Sequence, residues 1–212
     1  MSVSLKKGQG VSLKKSEYDL SSVTIGLGWD IKEEKKGFLG SLFGKQEEYD
    51  LDVIAFLCDA NGKVADLGRM EGGQASLVDG DIIFFNSLRH KSGQIWLTGD
   101  NRTGAGDGDD EQIIVKLNTL DDKYAKIVFI VQIYNGKQLQ QHFGKVQNAF
   151  IRAVDAKNVE MARFDLSGGA EFNHQRSMLF AELVREDSGW KLNAIGQPSD
   201  SDSFVSYLKD YC

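Results

Sequence analysis

The sequence contains few of the residues from which many functional sites are built. One proline, two cysteines and three histidines occur among 212 residues. Cys58 and Cys212 are too few for a disulfide framework and fit a reducing compartment such as the cytoplasm. His90, His142 and His174 are scattered, which argues against a zinc site. His90 stands in a polar turn and is expected to be exposed to solvent.

Long hydrophobic runs and an excess of positive charge are also missing. The longest apolar run, Ile127 to Val131, is far too short to span a membrane. No apolar stretch follows the lysines near residue 6, so we expect no secretory signal. The net charge of −6 disfavours a nucleic-acid partner. Neither a phosphate-binding Walker loop nor a nucleophile elbow is present, and we expect a protein that is not an enzyme.

What the chain does contain is a series of short runs rich in Ile, Val and Phe, separated by Gly, Asn and Asp. This pattern predicts strands and an all-β fold, either a sandwich or a barrel. A spacing of i, i+3, i+4 and i+7 at Phe204, Tyr207, Leu208 and Tyr211 predicts a short C-terminal helix. The predicted strands are 23–29, 49–58, 82–85, 95–98, 113–117, 126–134, 150–154, 159–164, 178–184 and 191–195.

The composition shows no break that would divide the chain, so we expect a single domain over residues 1–212. One segment, at about residues 32–48, looks inserted. It is charged at both ends and carries Phe38, Leu39, Leu42 and Phe43 between glycines. A flexible surface loop is one interpretation. The other is an exposed apolar tip, residues 38–43, that contacts a membrane surface or a partner protein.

The most informative segment runs from Asp100 to Glu111. It holds five acids against one base, Arg102, and is interrupted by glycines. Calcium takes about six to eight oxygen ligands, and glycine allows the backbone to fold sharply enough to gather them. Carboxylates packed this densely would repel one another without a cation. The segment therefore predicts a calcium-binding loop, although magnesium and a solvated acidic turn are the alternatives.

This loop does not fit the EF-hand pattern. Counted from Asp107, the sixth position is Gln112 rather than Gly, and the twelfth is Asn118 rather than Glu. A calcium site here would therefore lie on a β-scaffold. Asp50 and Asp52 are candidate ligands from a distant strand, because a spacing of two puts both carboxylates on one face.

The sequence resembles the TerD family of bacterial tellurium-resistance and chemical-stress proteins. The resemblance covers nearly the whole chain, with two departures. Leu97 stands where the family often has His, and the loop at 32–48 is longer than in the shortest members. It implies a β-sandwich of two mainly antiparallel sheets with a few short helices, binding two calcium ions. The matching motifs are Met1-Ser-Val-Ser-Leu-Lys-Lys-Gly, Gly26-Leu-Gly-Trp-Asp, Tyr49-Asp-Leu-Asp, Ile83-Phe-Phe-Asn, Gly99-Asp-Asn-Arg-Thr-Gly, Gly106-Asp-Gly-Asp-Asp-Glu, Phe150-Ile-Arg and Ala194-Ile-Gly-Gln.

The resemblance also implies a ligand set and a function. The implied side-chain ligands are Asp50, Asp52, Asp100, Asn101, Asp107, Asp109, Asp110 and Glu111, with backbone carbonyls near Thr103, Gly104 and Gly106. The expected function is that of a cytoplasmic, non-enzymatic calcium-binding module that works with other proteins of a stress-resistance complex. Association with the inner face of the membrane is left open as an alternative location. The alternative is a metal-dependent enzyme or a protein that uses calcium to bind a small, nucleotide-like ligand.

Overall fold

A computed structural model describes residues 2–31, 49–98, 108–166 and 172–212. The predicted inserted loop at 32–48, with its apolar tip at 38–43, lies outside these residues. Each predicted strand overlaps one that the structure contains. The strands are β1 (Val3–Leu5), β2 (Gly10–Lys14), β3 (Val23–Ile31), β4 (Leu51–Cys58), β5 (Met70–Glu71), β6 (Gln74–Ala75), β7 (Ile82–Ile83), β8 (Ile95–Thr98), β9 (Glu111–Val115), β10 (Lys126–Ile133), β11 (Val146–Val154), β12 (Glu160–Leu166), β13 (Ser177–Glu186) and β14 (Gly189–Ser199).

The strands form two six-stranded sheets. Sheet I has the order β1-β12-β11-β3-β9-β8, and sheet II has the order β2-β14-β13-β10-β4-β7. Within both sheets every pairing is antiparallel except that of β1 with β12. The strands β5 and β6 form a separate hairpin. The predicted fold, two mainly antiparallel sheets, is confirmed.

The main core lies between the two sheets. Alternate residues of β3 and β9, such as Ile25, Leu27 and Ile113, point into it, as alternation along a half-buried strand requires. From sheet II it receives the odd-numbered residues of β4, including Leu51 and Val53. Burying this apolar surface is the largest stabilising contribution to the fold.

A second core covers the outer face of sheet II. The even-numbered residues Ile54, Phe56 and Cys58 of β4 belong to it, so this strand is buried on both faces. The cover comes from the chain's end, where helix α1 (Val205–Leu208) is followed by a 3-10 turn at Lys209–Tyr211. The predicted C-terminal helix is therefore confirmed. In the described part of the chain, no helix is long and apolar enough to cross a membrane.

Candidate functional site

The structure describes part of the predicted calcium site. The implied ligands Asp50, Asp52, Asp109, Asp110 and Glu111 lie within the described residues. The rest of the predicted set lies outside them, namely Asp100, Asn101, Thr103, Gly104, Gly106 and Asp107. The described acids occupy two places, the start of β4 and the segment that leads into β9.

Glu111, the first residue of β9, reaches across the sandwich. Its side chain points between the sheets and is 2% exposed. Its Oε2 accepts a hydrogen bond of 2.6 Å from the backbone N–H of Val53 in β4. Among the described residues, β7 pairs with β4 only at Ala55 and Phe56, so the backbone N–H of Val53 is left for the Glu111 carboxylate. Glu111 thus joins β9 of sheet I to β4 of sheet II next to Asp52.

Asp110 lengthens the pairing between β9 and β3. Its backbone N–H donates to the Leu27 carbonyl over 2.7 Å, and its Oδ2 accepts from the backbone N–H of Trp29 over 2.9 Å. Burial raises the pKa of the Asp110 carboxyl; the Trp29 hydrogen bond opposes this, while the charges of Asp30 and Asp109 raise it further. Burial and the neighbouring acids therefore both act against the charged form of this carboxyl.

Asp109 points to the outer face of sheet I. Its Oδ1 accepts from Nε of Arg152 over 2.7 Å, and its Oδ2 accepts from Nε2 of Gln112 over 3.3 Å. The carboxylate lies directly over Gly26, where a Cβ would collide with it. At Gly28 a Cβ would stand 2.7 Å from the Gly108 carbonyl oxygen. Both glycines of the Gly26-Leu-Gly motif are therefore needed for the acidic segment to lie against β3.

Asp52 lies on the face of β4 that it shares with Ile54 and Phe56, opposite to the side chain of Val53, and Asp50 directly precedes the strand. Asp52 is 5% exposed, and its Oδ2 accepts from Nε2 of Gln132 over 3.1 Å. The contact between Glu111 and Val53 brings the backbone of β4 to the acidic segment, but the Asp52 carboxylate itself faces the second core.

The chemistry of these side chains fits a hard cation. The donors are carboxylate oxygens, which calcium prefers, and several are buried or crowded by like charges. Among the residues described, however, no group of three or more His, Cys, Asp or Glu is placed to hold a metal ion. The described carboxylates diverge, because Asp109 points outward, Asp110 lies along the strand edge and Glu111 points inward. A complete shell would therefore need ligands from residues 99–107.

A second polar cluster was not predicted from the sequence. The expectation that His90 is exposed is wrong, since it is 3% exposed. Its Nε2 lies 3.2 Å from Oδ1 of Asp81, which also accepts from the Tyr124 hydroxyl over 2.5 Å. On the other side of the ring, Nδ1 accepts from the backbone N–H of Ser92 over 3.1 Å. No spacing in the sequence signals this cluster, because its members come from separate turns.

Arg152 and Gln132, which hold Asp109 and Asp52, were also missed. Each lies within a strand whose pattern reads as ordinary alternation or a buried run, so only the tertiary contacts distinguish them. A basic or amide side chain between apolar neighbours is the one signal that would have pointed to them.

Comparison with known proteins gives a consistent result. A family model described as the TerD domain matches residues 1–211. The chain is 80% identical to tellurium resistance protein TerX of Serratia marcescens, over all of both chains. It is 41% identical to tellurium resistance protein TerD of the same organism, covering 93% of this chain and 91% of the relative. General stress protein 16U of Bacillus subtilis is 38% identical, with coverage of 92% and 90%.

Solved structures show the same fold at lower identity. One, of a protein of unknown function, matches with a TM-score of 0.60 and 24% identity, covering 89% of this chain and 94% of that one. A homologue of the telluride resistance protein TerD from Streptomyces coelicolor matches with a TM-score of 0.59 and 22% identity, with coverage of 89% and 95%.

Proposed function

This chain belongs to the TerD family of tellurium-resistance and stress-response proteins, and from that premise we propose that it is a non-enzymatic calcium-binding module. The observation that supports the proposal is the gathering of Asp109, Asp110 and Glu111 against β3 and β4, where Asp30 and Asp109 add like charge beside Asp110. A divalent cation would offset that like charge.

Calcium would be held by the acids of the 100–111 segment together with Asp50 and Asp52 on β4. When bound it would neutralise the acidic segment. Glu111 links the start of β9 to β4, so the effect of the bound ion would reach both sheets. We propose that the surface formed there binds other proteins of a stress-resistance complex in the cytoplasm.

The alternative, a calcium-assisted binder of a nucleotide-like ligand or a metal-dependent enzyme, requires a polar pocket beside the acids. In the described ranges, the cavity bounded by Leu27 and Leu51 is about 20 Å³ and has an entirely apolar lining. A space of that size has room for about one water molecule. This cavity is too small and too apolar for a nucleotide-like ligand.

Calcium titration by calorimetry, with the melting temperature measured in parallel, tests the proposal. The wild type is expected to release or absorb heat and to melt higher, by RT ln(1 + [Ca]/Kd) per site. The double variant Asp107→Ala, Asp109→Ala should lose the strongest part of this response. A matched control, Asp122→Ala with Asp187→Ala, removes the same charge from two exposed positions and should bind as the wild type does. Absence of any response in the wild type would overturn the proposal.

A further inference from the structure

The outer face of sheet I carries a row of side chains that includes three apolar ones outside both cores. Trp96 of β8 stands opposite Ile114 of β9. Thr24 of β3 continues the row from Ile114 to Val154 of β11. All four side chains are partly exposed, and none of the apolar ones belongs to either core. Because neighbouring strands lie about 4.8 Å apart, the row is about 14 Å long. We call these four residues the outer row.

Two cations flank Trp96 at one end of the outer row. Arg89 forms an isolated backbone bridge with Trp96, and its guanidinium carbon lies 5.2 Å from the centre of the indole ring. Lys116 follows Ile114 by two residues and lies on the same face, with its Nζ 5.7 Å from the centre of that ring. The attraction between cation and aromatic ring holds both charges beside the partly exposed indole.

These two cations differ from the arginine at the centre of the same face. Arg152 is neutralised by an ion pair of 2.7 Å with Asp109. Within residues 2–31, 49–98, 108–166 and 172–212, neither Arg89 nor Lys116 forms an ion pair, and both are exposed. A local excess of positive charge in a chain of net charge −6 favours a negatively charged group on whatever binds there.

We propose that the outer row, together with Arg89 and Lys116, is a docking surface for an acidic, partly apolar segment of a partner polypeptide. The outer row contacts the apolar side chains of the segment. The guanidinium of Arg89 can pair with a carboxylate through two hydrogen bonds, and Lys116 attracts a second one as a point charge. An extended chain rises about 3.3 Å per residue, so about four residues cover the row.

A polypeptide segment fits this surface better than a membrane or a nucleic acid does. Anionic bilayers and nucleic acids present many negative charges side by side, and they bind extended sets of cations. Here two cations share the face with acids such as Asp109 and Asp165, which would repel such a partner. A segment with one or two carboxylates reaches the cations without approaching those acids.

Trp96 gives the binding measurement a selective signal, because the other two tryptophans, Trp29 and Trp190, are buried. The probes are the peptide acetyl-Glu-Phe-Glu-Leu-amide and its uncharged counterpart acetyl-Gln-Phe-Gln-Leu-amide, each titrated in the presence of EDTA. The acidic peptide should change the fluorescence of Trp96 and shift its indole N–H resonance. It should bind at least about threefold more tightly than the uncharged peptide, as expected for exposed charge pairs.

Two variants separate the charges from the apolar row. The double variant Arg89→Gln, Lys116→Gln should lose the preference for the acidic peptide. Trp96→Thr should weaken the binding of both peptides, measured from the backbone amide resonance of Ile114. If Trp96→Thr fails to fold, the double variant still decides, because it changes only exposed side chains.

The matched control is the double variant Lys6→Gln, Lys137→Gln. It removes the same charge from two exposed positions outside the outer row and should bind both peptides as the wild type does. A loss of the preference for the acidic peptide in this control would show that net charge, and not the position of the cations, determines binding.

Three results would overturn the proposal. They are absence of binding of the acidic peptide, equal binding of the two peptides by the wild type, and an unchanged preference in Arg89→Gln, Lys116→Gln. If phosphatidylserine vesicles or a single-stranded oligonucleotide bind instead, and the double variant loses that binding, the face belongs to that other partner. The inference does not rest on the proposed function. Because EDTA is present, its outcome is distinct from that of the calcium titration.

Discussion

Two acidic regions of this protein shift the pKa of their carboxyl groups in opposite directions. Asp81 is surrounded by donors, whereas Asp110 stands among other acids. Burial alone would raise the pKa of Asp81, but hydrogen bonds from His90 and Tyr124, together with the nearby charge of Lys123, hold it below its usual value. At Asp110 burial and the charges of the neighbouring acids outweigh the hydrogen bond from the backbone N–H of Trp29, and the pKa is raised.

The difference separates a structural carboxylate from a candidate ligand. A buried carboxylate whose acceptors are all used contributes to stability and leaves nothing for a cation. A carboxylate that the fold holds close to other acids is stabilised when a cation binds. The cation offsets the repulsion between the like charges. The predictions below test this contrast, beginning with the largest expected effect.

Replacing Asp81 with Ala should destabilise the protein most. It leaves three donors without their acceptor: the His90 ring, the Tyr124 hydroxyl and the backbone N–H of Asp66. We expect a loss of about 3 kcal/mol in the free energy of unfolding, with calcium affinity unchanged. Urea denaturation and calorimetry measure the two quantities.

The control for this change is Glu17→Ala, which breaks an exposed ion pair with Lys14 and should cost less than about 1 kcal/mol. Because the folded-state pKa of Asp81 is depressed, its stabilising contribution is present above the unfolded value and is lost as the pH falls through the folded one. The stability gap between wild type and variant should therefore narrow on acidification. A gap that widens in acid would contradict this assignment.

Gly26→Ala should have the next largest effect and should act at the acidic segment. The added Cβ collides with the Asp109 carboxylate and must displace it from Arg152. We expect a loss of about 2 kcal/mol from overpacking, together with weaker calcium binding. Thr24→Ala, on the same strand and face, is the control and should leave calcium binding intact. Unchanged stability and affinity in Gly26→Ala would show that Asp109 is not held as described.

Asp110→Asn should have the smallest effect on stability. Unlike the two variants above, it should stabilise the protein. The Asn side chain can still accept from Trp29, but the repulsion by Asp30 and Asp109 is gone. Without calcium, the variant should melt roughly 1–3 °C higher than the wild type. With calcium, its gain in melting temperature should be smaller. Asp165→Asn is the control, because it replaces an exposed acid that is paired with Arg163. A lower melting temperature for calcium-free Asp110→Asn than for the wild type would contradict the charge argument.

Much of the fold followed from local pattern. Alternation in β9 and the continuous apolar run in β10 predicted strands that the structure contains, because burial on one or both faces leaves these two signatures. The spacing of Asp50 and Asp52 predicted one strand face for both, but only Asp52 lies within β4. The local pattern could not tell which face Asp52 takes, and that face packs under the C-terminal residues.

The polar partners could not be predicted in the same way. The side chains of Arg152, Gln132 and His90 contact residues that are far away in sequence. Periodicity along the chain does not predict such contacts. His90 was expected in solvent because its neighbours in the chain are polar. Its ring is buried because Asp81 and Tyr124, from two other turns, enclose it.

By itself, the sequence determined the all-β class, the strand positions and the concentration of acids and glycines between residues 100 and 111. These properties depend on residue type and on spacing along the chain. Only the tertiary structure decided that Glu111 joins the two sheets, that Asp109 pairs with Arg152 over Gly26, and that Asp52 reaches the C-terminal residues through Gln132. Those contacts depend on which strands become neighbours, and burial in the assembled sandwich selects among the partners that a local pattern leaves open.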